Sequence, residues 1–256
     1  MRVPLPAAFL TAPIAHRAYH KRSEGRPENS LPAMRAAIAA GKRIECDLQL
    51  TTDGPAPVVH DEWLERLTDA TGFVRDKTLA EMQVIGLKDC AEPPPSLAEM
   101  LALVAGRVPL LIELKDPTDT MSETDGRLEA AVAQALAGYC GPVALMSFNP
   151  HCIAHLARLA PQIPRGLTTA AYDHAGWAPL DPVRCDELRG IPDYDRTLSS
   201  FISHEAADLG RARVANLKAQ GAAILTWTIH SPVEEAQARK VAQNITFENY
   251  AAPFPT

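Results

Sequence analysis

Eight short runs of apolar and β-branched residues recur along this 256-residue chain, and amphipathic stretches separate them. That alternation constrains the fold more than any other feature. The runs fall at residues 13–18, 43–49, 109–115, 143–148, 164–168, 201–204, 223–229 and 244–248. Strand followed by helix, repeated, specifies a parallel sheet, because parallel neighbours need a long crossover between them. Eight such units in a chain of this length predict closure into a single (β/α)8 barrel spanning 1–256, with a doubly wound open sheet as the alternative. Helix punctuation agrees. Ser96 with Glu99 forms a capping box, and Ser231 with Glu234 repeats the device behind Pro232. Gly41, Gly138 and Gly221 follow helical patterns, where a left-handed cap is expected. Two intervals exceed a plain strand–helix unit. Residues 53–95 read as an insertion over one barrel mouth, and 170–198 carry Trp177, several prolines and many acids.

Charge and cysteine usage remove several partners. There are 25 Lys and Arg against 31 Asp and Glu, a net charge of −6. Nucleic acid and anionic membranes are both disfavoured, since each is met by a basic surface. No run reaches the roughly 18 apolar residues that a membrane helix needs. The opening MRVPLPAAFLTAP is interrupted by prolines and makes a poor signal peptide. Five scattered cysteines without a C-x-x-C pair read as reduced thiols. The expected compartment is the cytoplasm, and the expected partner is a small molecule. Oligomeric state is not legible in the sequence.

Chemistry concentrates at the ends of the expected strands. In the run around Glu45, alternation places Glu45 and Asp47 on the barrel face and Ile44, Cys46 and Leu48 on the helical side. The same alternation turns Glu113 and Lys115 inward. Three inward carboxylates suit a hard divalent cation, Mg2+ or Ca2+. An ion-pair network with Lys115 is the other reading. Arg17, at the first strand's end, is either a counter-ion for these carboxylates or a fork for a phosphate. His16 and His60, each taken alone, are more often packed or solvated imidazoles than catalysts. His151 and His155 have helical metal spacing but no third ligand, so they read as helix surface. His20, Lys21, Arg22 and Arg26 crowd the first loop, and Tyr172, Trp177 and Tyr194 are candidates to line the mouth.

Together these residues form an ordered series. Ala15-His16-Arg17 is followed by Pro27-Glu28-Asn29-Ser30, Glu45-Cys46-Asp47-Leu48, Thr52-Asp53-Gly54, Val59-His60-Asp61 and Ile112-Glu113-Leu114-Lys115. Ser147-Phe148 and Trp227-Thr228 continue it. The series resembles the glycerophosphodiester phosphodiesterase family, within the phospholipase C-like phosphodiesterases. The resemblance implies a (β/α)8 barrel with an insertion after the second strand. It implies a divalent cation, Mg2+ or Ca2+, on Glu45, Asp47 and Glu113, and an acid–base pair of His16 and His60. It further implies phosphate contacts from Arg17 and Lys115, with Trp227 and Glu28 as possible substrate contacts. The implied reaction is hydrolysis of glycerophosphodiesters to glycerol 3-phosphate and an alcohol. A lysophospholipase D of the same fold and a non-catalytic binding barrel are the rivals. Three positions depart from the family pattern. Ala18 replaces a glycine, His230 stands where asparagine is usual, and the last strand ends Thr246-Phe247-Glu248-Asn249 rather than in a Thr-Asp pair and a proline. Ala18 should resist a positive φ.

Overall fold

The computed structural model describes residues 1–254. Eight strands form a closed barrel in sequence order: β1 (Ile14–Ala15), β2 (Arg43–Leu48), β3 (Leu110–Leu114), β4 (Val143–Ser147), β5 (Arg165–Thr169), β6 (Phe201–Glu205), β7 (Ala223–Ile229) and β8 (Asn244–Phe247). Every neighbouring pair is parallel, and β1 closes the ring on β8 through Ile14↔Thr246 and Ala15↔Phe247. The crossovers carry α1 (Leu31–Ala39), α2 (Leu79–Met82), α3 (Leu97–Val104), α4 (Arg127–Leu136), α5 (Pro150–Leu159), α6 (Pro182–Arg189), α7 (Ala212–Ala219) and α8 (Pro232–Ala238). This is the expected (β/α)8 barrel. None of the helices among the described residues is long and apolar enough to cross a membrane.

The period-two alternation of the strands divides the core in two. Outward residues such as Ile44, Cys46, Leu48, Leu110, Ile112 and Leu114 pack against helix residues including Met34, Leu97 and Met100. Inward residues at the amino end of the barrel form a second cluster of Phe9, Ile14, Leu111, Ala144, Met146, Phe201 and Leu225. Each large apolar side chain fully buried there contributes about 1.5–3 kcal/mol relative to exposure. Gly166 is part of that packing. A Cβ built on it would lie 2.4 Å from the Phe201 ring and 2.6 Å from the Phe201 carbonyl oxygen, so the ring takes the space a side chain would need. Above this plug the inward residues turn polar, which puts the reactive groups at the carboxyl end of the strands, as barrels of this kind generally do.

Local signals act as read, with two exceptions. Ser96 and Glu99 close a reciprocal capping box on α3. On α8 the Ser231 hydroxyl accepts from Glu234 N at 3.3 Å, but the Glu234 carboxylate accepts from His230 N instead of Ser231 N. The first strand is shorter than its apolar run, because Arg17 and Ala18 both take positive φ, 48° and 67°, and leave the ladder. Residues 53–95 hold α2 and a small core of Val59, Leu64, Val74 and Met82. They also hold a Trp63–Phe73 ring pair at 3.7 Å.

Candidate active site

The carboxyl ends of β2 and β3 are aligned in register, Asp47 opposite Glu113, and this brings three acids to one point. Oxygen atoms of Glu45, Asp47 and Glu113 lie within 4.8 Å of one another, and all three residues are buried. Lys115 joins them from just beyond β3. Its Nζ stands 2.7 Å from Asp47 Oδ1 and also bonds Glu113 Oε1. Arg17 N donates to Glu45 Oε2 at 2.7 Å, and Arg17 Nε lies 3.7 Å from Asp47 Oδ2. The positive φ of Arg17 and Ala18 turns the backbone so that this N–H faces the acids. The chain therefore places an alanine, not a glycine, in the left-handed region, contrary to the expectation for Ala18. L residues there cost about 1–2 kcal/mol, which the surrounding packing must offset. Burial, with Asp47 and Glu113 beside it, pushes the Glu45 carboxyl well above the usual carboxylate range. Burial opposes ionisation of Asp47 too, but Lys115, His60 and Arg17 hold its carboxyl below that range.

Three convergent hard-oxygen donors face only two cationic side chains, Lys115 and Arg17, and burial beside two other acids raises the Glu45 carboxyl. That donor set fits a divalent cation of the Mg2+ or Ca2+ kind. Among the described residues it is the one cluster of acidic, histidine or cysteine side chains with such geometry. The ion-pair network with Lys115 is present as well, so the two sequence readings describe the same atoms. Asn29, to which no role was assigned, belongs here. Its Nδ2 donates to Asp47 Oδ2 at 2.9 Å and its Oδ1 accepts from Asp47 N at 3.3 Å, a two-point brace on the central acid. Its left-handed φ of 57° is a value asparagine tolerates well, and that tolerance was the available signal.

Each predicted histidine stands at this cluster with a carboxylate on Nδ1. His60 Nδ1 lies 2.8 Å from Asp61 Oδ1. Arg66 bonds both Asp61 and Glu28, and Glu28 reaches Arg17 Nη1 at 2.8 Å. Glu28, expected as a possible substrate contact, is thus a counter-ion shared by two arginines. His16 Nδ1 lies 2.6 Å from Glu248 Oε2. Burial is the main influence on the His16 ring and lowers its affinity for a proton. Glu248 was noted in the sequence only as an atypical end to the last strand.

The mouth has two dissimilar halves. β1–β3 present most of the charged groups, whereas the ends of β4 and β7 and the loop after β5 present rings. Phe148 packs against Trp177 at 5.2 Å and Trp227 at 5.4 Å, and Tyr172 lies 4.6 Å from Trp177. Trp227 also donates from Nε1 to Ser203 O at 3.0 Å, which fixes its indole. Tyr194 is not in this wall. It is buried, with Arg2 over its ring at 4.8 Å. His151 and His155 lie on α5, away from the acids, with His155 beside Arg158. In the first loop Lys21 and Arg26 pair with Glu24, and Arg22 pairs with Asp89.

The chain is similar to known proteins in sequence and in fold. The model of the glycerophosphoryl diester phosphodiesterase family matches residues 16–246. A glycerophosphodiester phosphodiesterase of Caldanaerobacter subterraneus subsp. tengcongensis is 33% identical over 165 residues, 61% of this chain and 66% of that protein. A glycerophosphodiester phosphodiesterase of Bacillus subtilis is 30% identical over 176 residues, 59% of this chain and 58% of its own length. These matches thus span somewhat under two thirds of either relative. In fold, the chain is similar to an Oleispira antarctica phosphodiesterase solved with the product sn-glycerol-3-phosphate, with a TM-score of 0.74 at 23% identity, covering 95% of this chain and 94% of the other. The matched residues include His16, Arg17, Glu45, Asp47, His60, Glu113 and Lys115, whereas Glu248 lies just beyond them. The chain belongs to the glycerophosphoryl diester phosphodiesterase family.

Proposed function

We propose that this barrel, as a single domain, hydrolyses glycerophosphodiesters to glycerol 3-phosphate and an alcohol, with a divalent cation on Glu45, Asp47 and Glu113. The observation that carries the reading is the convergence of those acids with Lys115, Arg17 and two carboxylate-backed histidines at one barrel mouth. A phosphodiester anion repels nucleophiles, and charge grows on its free oxygens during displacement. The cation, when bound, supplies positive charge to those oxygens. Arg17 offers them a planar fork, and its buried Nε has no hydrogen-bond partner of its own. Lys115, which the two acids keep protonated despite its burial, adds a second point charge.

His16 and His60 move protons. The glycerol hydroxyl next to the ester gives its proton to one imidazole as its oxygen attacks phosphorus. The bond from phosphorus to the alcohol oxygen breaks, and the other imidazole protonates the departing alcohol. A cyclic phosphate remains, which water opens by the reverse use of the same pair. An internal hydroxyl held in line has an effective molarity far above that of solvent water. The placement in the cytoplasm rests on the unpaired, scattered cysteines. The aromatic half of the mouth supports a second reading, a one-chain lysophospholipid as substrate, with Trp227 among its contacts. Steady-state assays on glycerophosphocholine, glycerophosphoethanolamine, glycerophosphoglycerol and a lysophospholipid, each with EDTA, Mg2+ or Ca2+, test both. Turnover of the first three that EDTA removes is expected. Turnover of the lysophospholipid alone supports the second reading, and activity indifferent to EDTA sinks the three-acid site.

A further inference from the structure

Two of the sequence departures from the family pattern meet on a single carboxylate. Glu248 Oε2 lies 2.6 Å from His16 Nδ1 and 3.3 Å from His20 Nε2, while Glu248 Oε1 lies 3.4 Å from His230 Nδ1. Asn249 Nδ2 approaches Oε1 at 3.2 Å. Among the described residues Glu248 makes no ion pair with Lys or Arg, so imidazoles are its only basic neighbours. Asp61, the corresponding carboxylate of His60, is instead neutralised by Arg66. The three histidines come from three places: His16 from the end of β1, His20 from the loop after it, and His230 from the turn between β7 and α8.

A carboxylate only accepts, so a separation of 2.6 Å requires the hydrogen on His16 Nδ1. The neutral ring must then carry its lone pair on Nε2, the nitrogen turned away from Glu248. We propose that Glu248 is a positioning residue for His16, locking the Nδ1–H tautomer and leaving Nε2 as the proton acceptor, with His20 and His230 steadying the carboxylate. This rests on the proposed phosphodiesterase reading for its catalytic consequence, though not for the tautomer. Glu248 stays fully ionised in this role, because its bonds to His16 and His20 hold its carboxyl far below the usual range. His20 shares Oε2 with His16 and so fixes the oxygen's direction, and His230, 3.4 Å from the opposite oxygen, adds an electrostatic contact on that side.

The test reads tautomer and turnover separately. In protein labelled with 15N at histidine, with the His16 signals assigned from a His16→Gln control, the wild type should show His16 as Nδ1–H at neutral pH. Glu248→Leu should shift it toward the Nε2–H form that free histidine prefers, and kcat should fall by about 10²-fold with KM within threefold, since general acid–base help is worth about 10²–10⁴-fold. Glu248→Asp should restore the Nδ1–H signal and at least a tenth of kcat. The double variant His20→Ala/His230→Ala should lower kcat several-fold with the tautomer partly mixed. An Nε2–H tautomer in the wild type overturns the proposal, as does a Glu248→Leu protein with an unchanged tautomer or with kcat within threefold of wild type. If Glu248→Leu does not fold, the wild-type spectrum and Glu248→Asp decide the matter on the same criteria. A wild-type protein with the expected tautomer but no phosphodiesterase activity would sink the functional reading and leave the positioning role standing.

Discussion

Replacing Lys115 with methionine removes the positive charge nearest the three acids while keeping most of the side chain's length. In the folded protein its Nζ stands 2.7 Å from Asp47 Oδ1 and also bonds Glu113, and the Asp47 side chain is only 2% exposed. Taking away one partner of a buried ion pair costs about 3–5 kcal/mol, because the other charge stays in low dielectric. Asp47 keeps Asn29 and part of Arg17, so the lower end applies, about 3 kcal/mol. For a chain of this size each kcal/mol moves Tm by about 2–4 °C, so Lys115→Met in EDTA should melt about 6–12 °C below wild type. A divalent cation replaces the missing charge. Binding the folded state alone stabilises it by about 2.7 kcal/mol at 100 times Kd. The rise in Tm on adding Mg2+ or Ca2+ should therefore be larger in the variant than in the wild type, where Lys115 already offsets part of the repulsion. Scanning calorimetry with and without a saturating cation measures both shifts. A variant that melts within about 2 °C of wild type in EDTA, or that responds to the cation no more strongly, would refute the reasoning.

Three further outcomes are expected. Arg17→Lys keeps the charge but loses the fork that spans Glu28 and the acids, so kcat/KM should fall about 10-fold or more in steady-state assays, with wild-type values returning Arg17 to a purely structural role. Gly166→Ala drives a methyl into the Phe201 ring and carbonyl, and urea unfolding should show a loss of about 3 kcal/mol; a loss below about 0.5 kcal/mol would mean that the barrel interior yields there. With a p-nitrophenol leaving group the general acid matters little, so His60→Ala, taken as the acid variant, should recover on that substrate and His16→Ala should not. Equal losses for both variants on activated and natural substrates would contradict the division of roles.

Alternation made most of the fold and the acidic cluster legible. Glu45, Asp47, Glu113 and Lys115 could be placed on one face because strands repeat every two residues, and their burial makes any other placement costly. The histidines needed more. His60 follows no periodic element, and only the ordered series of motifs singled it out. Glu248 was invisible as a partner for His16, because the contact joins residues 232 positions apart and depends on ring closure. Ala18 misled for a different reason. Intrinsic backbone preference disfavours its φ of 67°, yet the Ala18 N–H donates to Glu45 O at 2.9 Å and the methyl is buried, and these tertiary contacts override the local preference. The two arginine partners of Glu28 come from separate segments, residue 17 and residue 66, so no local pattern announced them.

The seam of the barrel has a consequence for biogenesis. β1 is only two residues long, and it is paired with β8. Asn244 ties the same seam by donating to Phe9 O and Ala12 O, and Lys42 ties it again at Ala252 O. Joining positions more than 200 residues apart carries the largest loop-closure entropy in the chain, and such pairings form late. A nascent polypeptide still lacking its last strand can bring the three acids together from β2 and β3, but it has no Glu248 to meet His16. The site would gain its acidic half during synthesis and its His16 partner only when the final turn of the barrel leaves the ribosome.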